Sequence, residues 1–514
     1  MALVLATRTF IVIAVLLLPA MVVSSLDFGV TWDEFERYHN GWNVWNFLRG
    51  LRPREAFQET GGHLYPGLFD TICAALETHV PVNRWALRHM INAVFGWIGI
   101  VYTGRLAGRL FGPWTGVLGM VLLAVSPRFF AHSMNNPKDV PFAAMSMVAL
   151  FYISTISPRW PYISFSSGLK ITAALALALS VRAGALLYLG YFGLLVGWYV
   201  LAEGNTNWRR LADTAGRVAA IVAGMLLLGT IFWPWAGGAP FTRPFQALLG
   251  VSNYEWDGVV LFNTFEYPGH GLPWHYAPWW FLISTPPVVL LGALCSLLLL
   301  VRRKTALLTA GLWGVAMFPV AAAVLRGSTL YDGVRHLLFV QPVLVVLAAA
   351  GWTEAHARVG TRWLRHGVTG ALAVGLGAAL VFMVRFHPNQ GVYFNALVGG
   401  PRGAQLRYDM DYWGNCMLQA VEWAAEYSRS TGVPLRVSGV PPHLIEHNAE
   451  RYPQVTYAGP SSQHHHLEVI LMRGTRPHLR NLLRRPAIHR IRTPDGAVLC
   501  TVVPGPAYDE ISRP

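Results

Sequence analysis

Long runs of consecutive apolar residues, broken by short polar stretches, fill the first three-quarters of the chain. A helix needs about 20 apolar residues to cross the hydrocarbon of a bilayer. Runs of that kind lie at about 8–26, 89–111, 113–131, 138–157, 168–182, 184–202, 217–236, 278–301, 305–325, 335–355 and 367–386. They predict an all-α polytopic membrane protein with about eleven transmembrane helices. A membrane β-barrel would instead show alternation over segments of about 10 residues. The first run is followed by Ser24 and Ser25 and also fits a cleaved signal peptide, but the layout needs it as a span. Arg182 interrupts 168–202, which reads as two spans or as one kinked span with a re-entrant piece.

Beyond the last run the pattern changes. PLRVSGV, QVTYAG, HLEVILM and AIHRIRTPDGAVLCTVV read as strands, with Asp495-Gly496 as a hairpin turn. Residues 415–428 and 442–450 read as helices. The expected division is a transmembrane domain over 1–386, with outer loops 27–88, 127–138, 236–277 and 326–335, and a small α/β domain over 387–514. In the first loop, Tyr38, Trp42 and Trp45 recur at helical spacing, as on a helix lying in the membrane interface.

Composition and charge sharpen this. Of 514 residues, 54% are hydrophobic and 13% charged, against about 25% charged in soluble proteins, which excludes a soluble enzyme. The net charge of +14 does not point to nucleic acid, because no basic block is interleaved with aromatics. Positive residues flank the apolar runs instead. Arg105 and Arg109, Arg159 and Lys170, Arg209, Arg210 and Arg217, Arg302, Arg303 and Lys304, and Arg358, Arg362 and Arg365 fall in alternate connections. This bias places them and the N-terminus in the cytoplasm and the tail outside. The four cysteines form no CxxC, and a Cys416–Cys500 bridge stays open. No Walker A, GxSxG or HExxH motif occurs.

Candidate chemistry gathers in the outer connections. Asp33 and Glu34 follow the first span, as a catalytic pair or as part of a helix cap with Thr31. The turn before the fourth span holds His132, Asn135, Asn136, Lys138 and Asp139, which suits helix initiation or a site. Arg182, Arg326, Arg335 and His336 sit at span ends, where single arginines snorkel but a cluster suits an anionic phosphate. His270, Trp274, His275 and Tyr276 form an aromatic belt or part of a pocket. His464, His465 and His466 are adjacent, so on a strand they alternate in direction and do not suit one metal ion.

Several motifs occur together: TWDE (Thr31 to Glu34), HLYPGLFD (His63 to Asp70), NNPKDVPF (Asn135 to Phe142), LPWHYAP (Leu272 to Pro278), YDGVRHLLFVQP (Tyr331 to Pro342), HPNQGVYFNALVGG (His387 to Gly400) and DYWG (Asp411 to Gly414). In these the chain resembles the bacterial protein O-mannosyltransferase-like glycosyltransferases of the GT-C superfamily, relatives of the aminoarabinose transferases. The resemblance implies a GT-C fold in a bacterial inner (plasma) membrane. It implies transfer of a sugar from a polyprenyl-phosphate-linked donor to a lipid, glycan or protein acceptor. It makes Asp33 the general base with Glu34 beside it, and Asp139 the second acidic position. Lys138, Arg182, Arg335 and His336 would hold the donor phosphate, and His63, Tyr65, Trp274, His275 and Tyr276 would line the acceptor or sugar pocket. No metal site is assigned, although Asp33 and Asp139 leave a divalent ion open. The inserted β-trefoil of eukaryotic members has no room here. A lipid or glycan transporter is the competing reading, but such proteins place charges midway through the bilayer. A membrane assembly subunit with a binding tail is a third.

Overall fold

The computed structural model describes residues 1–58, 62–156, 163–203, 207–252, 254, 256–459 and 462–512. The helical part begins with α1 (Ala2–Ser24), α2 (Glu34–Leu48), α3 (Leu68–Glu77), α4 (Arg84–Phe111), α5 (Pro113–Ala124), α6 (Pro127–Asn135) and α7 (Asp139–Ile153). It continues with α8 (Phe165–Leu179), α9 (Leu186–Glu203), α10 (Trp208–Gly229), α11 (Pro234–Gly237), α12 (Arg243–Ser252) and the hairpin β1 (Val259–Phe262)–β2 (Phe265–Pro268). Then come α13 (Tyr276–Ser284), α14 (Pro287–Cys295), α15 (Arg303–Leu325), α16 (Val340–Arg358), α17 (Arg362–Arg385) and the short α18 (Gly400–Ala404). The tail is α19 (Cys416–Thr431), β3 (Leu435–Val440), α20 (Pro442–Ala449), β4 (Val455–Tyr457), β5 (Leu467–Leu471), α21 (Arg476–Arg484), β6 (His489–Arg492), β7 (Val498–Pro504) and α22 (Asp509–Ser512).

Each of the eleven apolar runs contains a helix, but not each is a straight span. Among the described residues, six helices are long and apolar enough to cross a membrane, or up to eight if each of two bent pairs is one span. The run 113–131, expected to be continuous, bends by 68° between α5 and α6, where Ser126 precedes Pro127. The run 278–301 bends by 111° between α13 and α14 at Pro286-Pro287. Breaking a helix inside a bilayer frees carbonyls that water cannot reach. Asn395 satisfies them: its Nδ2 donates to the carbonyls of Leu282 (2.7 Å) and Thr285 (3.1 Å). Helices α7 and α8 have 15 residues each, about 22 Å of rise, and are short for a span. The last run but one becomes helical at Val340 rather than at 335, after a 3₁₀ turn.

Packing sorts the helix ends as the charge pattern expects. At one end, Arg109 donates to the carbonyl of Ser154 (3.0 Å), Arg217 to that of Ile163 (2.8 Å), and Arg302 pairs with Glu354 (3.0 Å). Arg159 lies outside the described residues. The tail and the acidic first loop occupy the opposite end. Between them α16 is buried along nearly its whole length. It approaches α14 so closely that a Cβ on Gly351 would lie 1.9 Å from the carbonyl oxygen of Gly292. Small residues permit such contacts in membrane bundles.

The tail forms a five-stranded sheet of order β4-β3-β5-β7-β6, parallel among β4, β3 and β5 and antiparallel at β7 and β6. The hairpin at Asp495-Gly496 forms as expected, with Gly496 at φ +94°. Cys416 and Cys500 are joined, tying the start of α19 to β7 across 84 residues. A disulfide is typically worth about 2–4 kcal/mol. Cys416→Ala is therefore expected to lower the tail's unfolding free energy by about that amount, read as an earlier thermal transition that reductant reproduces in the native chain.

Candidate active site

The site lies where the first loop, the α6–α7 turn, the α8–α9 break and the turn before α16 meet. Each contributes charged groups for a local reason. Residues Thr31 to Glu34 form a capping turn. Glu34 reaches back to accept from the amide of Thr31 (2.7 Å), and its other oxygen meets His89 (3.0 Å). Glu34 is thereby buried against Thr31 and His89, and Asp33, one residue earlier, is turned instead to Lys138 and Arg335. On α7, Asn136 caps the helix start, accepting from the amides of Lys138 (3.2 Å) and Asp139 (2.8 Å). The helix-initiation reading of this turn is therefore met by Asn136, while Lys138 and Asp139 beside it are left to pair with Asp33 and Arg182. Arg182 is extended where the chain leaves α8, and Arg335 opens the 3₁₀ turn before α16.

These groups form one ionic network. Lys138 Nζ and Arg335 Nη1 both donate to Asp33 Oδ2, at 2.9 and 3.1 Å. Arg182 Nη1 pairs with Asp139 Oδ1 at 2.8 Å, and Arg335 Nη1 lies 3.8 Å from Asp139 Oδ2. Burial alone would raise the pKa of Asp33. The charges of Lys138 and Arg335, with the Lys138 hydrogen bond, outweigh it and hold the carboxyl well below its ordinary range. The Tyr65 ring lies 5.1 Å from Lys138 Nζ and 5.9 Å from the Arg37 guanidinium. Arg37 belongs to a second buried network, in which Arg37 and Arg88 share Asp70 and tie α2, α3 and α4 together.

Two members of the site have no role in the sequence reading. Asp332 Oδ2 accepts from Arg335 Nε (3.0 Å), and Asp332 Oδ1 accepts from Arg473 Nη2 (2.8 Å). Arg473 follows β5 in the tail. The signals were present: Asp332-Gly333 is a turn dipeptide, and Arg473 ends an apolar strand, where open α/β sheets present ligand groups. Burial pushes the nearby Asp409 up to about 7, with Arg473 opposing and Asp332 reinforcing.

The remaining expected residues are more dispersed. His336 packs edge-on to Tyr331 at 4.6 Å, beside the network. Tyr276 is buried and its hydroxyl accepts from the amide of Gly333 (3.2 Å), so it supports the Asp332 turn. His63 packs on Trp235 (5.2 Å), and its carbonyl accepts from Trp233 Nε1 (2.7 Å). Trp274 is 73% exposed against His275, which in turn meets Phe262 at 5.6 Å. No contact described here joins His63, Trp274 or His275 to Asp33. Trp32, 38% exposed and adjacent to Asp33, packs against Arg473 (4.8 Å) and His443 (5.3 Å). Among the described residues no group of three His, Cys, Asp or Glu could hold a metal ion. Asp33 and Asp139 are each matched by cations, so a divalent ion between them would have to displace Arg335; the residues present do not fit one.

No family profile and no curated protein matches this chain. Solved structures do. ArnT from Cupriavidus metallidurans, bound to undecaprenyl phosphate, aligns with a TM-score of 0.50 at 14% identity, over 96% of this chain and 97% of its own. AglB, the oligosaccharyltransferase of Archaeoglobus fulgidus, in complex with an inhibitory peptide and a dolichol-phosphate, gives 0.48 at 13% identity over 89% and 69%. The mycobacterial arabinofuranosyltransferase AftD gives 0.44 at 14% over 98% and 40%. The likeness to ArnT, end to end in both chains, shows the fold. That fold is a multi-pass helical domain carrying a mixed α/β tail.

Proposed function

We propose that this chain is an extracytoplasmic glycosyltransferase that moves a sugar from a polyprenyl-phosphate-linked donor to an acceptor hydroxyl, with Asp33 as general base. The observation that carries the reading is the meeting of Asp33, Lys138, Asp139, Arg182 and Arg335 at one end of the helical bundle. ArnT, with the same fold, was solved with undecaprenyl phosphate, which supports a lipid-linked donor. The sequence motifs favour the O-mannosyltransferase-like branch.

Charge decides how the site would work. Lys138, Arg182, Arg335 and Arg473 face Asp33, Asp139 and Asp332, leaving one net positive charge. A phosphodiester donor carries one negative charge and suits it. In the reaction the acceptor O–H breaks and its proton passes to Asp33. The acceptor oxygen bonds to the anomeric carbon, and the bond from that carbon to the phosphate oxygen breaks with its electron pair left on phosphate. One displacement of this kind inverts the anomeric centre. Asp33 loses a negative charge as the phosphate gains one, so the local charge is unchanged. Lys138 and Arg335, released by the neutral Asp33, then meet the leaving phosphate. In the ligand-free state the same cations make Asp33 a weak base, and the donor phosphate must compete for them before Asp33 can accept a proton. The acceptor enters past Trp32, on the exposed side of Asp33.

With the N-terminus in the cytoplasm and an odd number of crossings, as the apolar runs and basic connections of the sequence expect, this end would face outside a bacterial plasma membrane. The basic connections and the tail disulfide, which suits an oxidising compartment, support that side. Mass spectrometry of polyprenyl-phosphate sugars and envelope glycans, in cells with and without this gene, tests the reading. Loss of the gene is expected to leave a lipid-linked sugar accumulating and one glycan substituent missing. Unchanged profiles of both would refute it, as would substrate accumulation in sealed vesicles with no new glycosidic bond.

A further inference from the structure

The soluble tail is more than an appendage, because it holds the first loop and reaches into the ionic network. Residues leading to Asp33 are strapped to it. The amide of Gly29 donates to Asn415 Oδ1 (3.1 Å), that of Val30 to Asn448 Oδ1 (2.9 Å), and that of Trp32 to the carbonyl of Trp413 (3.2 Å). Arg473 is the tail's charged contribution. Its Nη1 is fixed on the carbonyl of Tyr412 (2.8 Å), its Nη2 on Asp332 Oδ1 (2.8 Å), and its guanidinium lies 4.8 Å from the Trp32 ring.

Asp332 joins the tail to the membrane domain. Its side chain is 4% exposed, and its two oxygens are divided between two arginines, Arg473 from the tail and Arg335 from the membrane domain. It sits at φ +57°, next to Gly333 at φ +69°. The Tyr276 hydroxyl and the stack of Tyr331 on Trp256 (4.4 Å) hold the turn in place. With Nε committed to Asp332, Arg335 can aim only its outer nitrogens at Asp33 and Asp139. If Arg473 were absent, Asp332 Oδ1 would be a buried, unpaired anionic oxygen. Arg335, already bound to the other oxygen of Asp332, would be drawn toward it, and its Nη1 would turn away from Asp33.

We propose that Arg473 is a positioning residue for the phosphate site: by occupying one oxygen of Asp332 it fixes Arg335 in the orientation that faces Asp33. This rests on the glycosyl-transfer reading and adds to it that the membrane domain alone is an incomplete enzyme. The role needs Arg473's second hydrogen bond as well as its charge, since the Tyr412 carbonyl sets where the guanidinium sits.

The test uses the full chain in nanodiscs, with Arg473→Ala, Arg473→Lys, Asp332→Asn and the double variant Asp332→Asn/Arg473→Ala. Arg485→Ala, at an exposed tail arginine 3.9 Å from Glu468, controls for general effects on the tail. Binding of a polyprenyl phosphate and turnover of a polyprenyl-phosphate sugar are both measured. Arg473→Ala is expected to lower kcat on the order of 10²-fold, the scale of a displaced catalytic group, while donor KM moves far less. Arg473→Lys is expected to keep the chain folded, with an unchanged thermal transition, and to recover only part of kcat. In the Asp332→Asn background, removing Arg473 is expected to cost nothing further, because both changes break the same link. Arg485→Ala is expected to leave both readouts unchanged. Unaltered kcat in Arg473→Ala, or losses that multiply in the double variant, would overturn the inference while leaving the proposed function standing. A native chain that neither binds polyprenyl phosphate nor transfers sugar would overturn the proposed function, and this inference with it.

Discussion

Replacing Arg335 by Met is expected to lower sugar transfer by about 10²–10³-fold, a barrier increase of about 2.7–4 kcal/mol. The size follows from its position. Arg335 lies within 4 Å of three carboxylates, those of Asp33, Asp139 and Asp332. It is 2% exposed, so water screens little of its charge. A donor aimed at developing phosphate charge in such a place is worth more than the same group at a surface. Arg335→Lys is expected to recover little. One ammonium cannot hold Asp332 on one side and face Asp33 on the other, as the planar fork does at 3.0 and 3.1 Å. Steady-state transfer from a polyprenyl-phosphate sugar, with circular dichroism to check folding, measures both. Wild-type rates in Arg335→Met would remove Arg335 from the chemistry.

Asp33→Asn is expected to abolish transfer, since loss of a general base costs about 10²–10⁴-fold and no other carboxylate takes its place. Glu34 is turned toward Thr31 and His89, and Asp139 is committed to Arg182 and Arg335. The pH dependence of stability gives an independent check. The folded-state pKa of Asp33 is depressed from 3.8, despite burial, by Lys138 and Arg335. A depressed carboxylate contributes stability that is fully present above its unfolded pKa and is lost as pH falls through the folded value. Asp33→Asn should therefore be less stable than the native chain at pH 7, with the difference shrinking in strong acid. A stability difference that grew as pH fell would contradict this electrostatic account.

The membrane architecture was legible because apolar length is a strong signal and each polar connection has only two sides to choose from. Lys138, Asp139 and Arg335 stood out for the same reason, as charges between apolar runs. The bend at Pro286-Pro287 was not legible, because the groups that make it tolerable come from Asn395, over a hundred residues away. The sequence leaves Asp33 and Glu34 as a catalytic pair or a cap because a capping glutamate and a catalytic one look alike; the structure gives the cap to Glu34. The sequence does not separate the two readings of Trp274 and His275, because aromatic residues decorate membrane interfaces and sugar pockets alike. Arg473 escaped notice because its partner, Asp332, lies 141 residues earlier in the other domain. Sequence spacing carries no trace of such a pairing, whereas β5 and the turn that ends it create it.

The central claim is that the carboxylate of Asp33 and a donor phosphate compete for Lys138 and Arg335. Titrating a polyprenyl phosphate into native chain, Asp33→Asn and Lys138→Met/Arg335→Met in nanodiscs tests it directly. The account predicts that Asp33→Asn, though inactive, binds the lipid more tightly than the native chain, and that the double variant binds it much more weakly. Equal affinities in all three would contradict it.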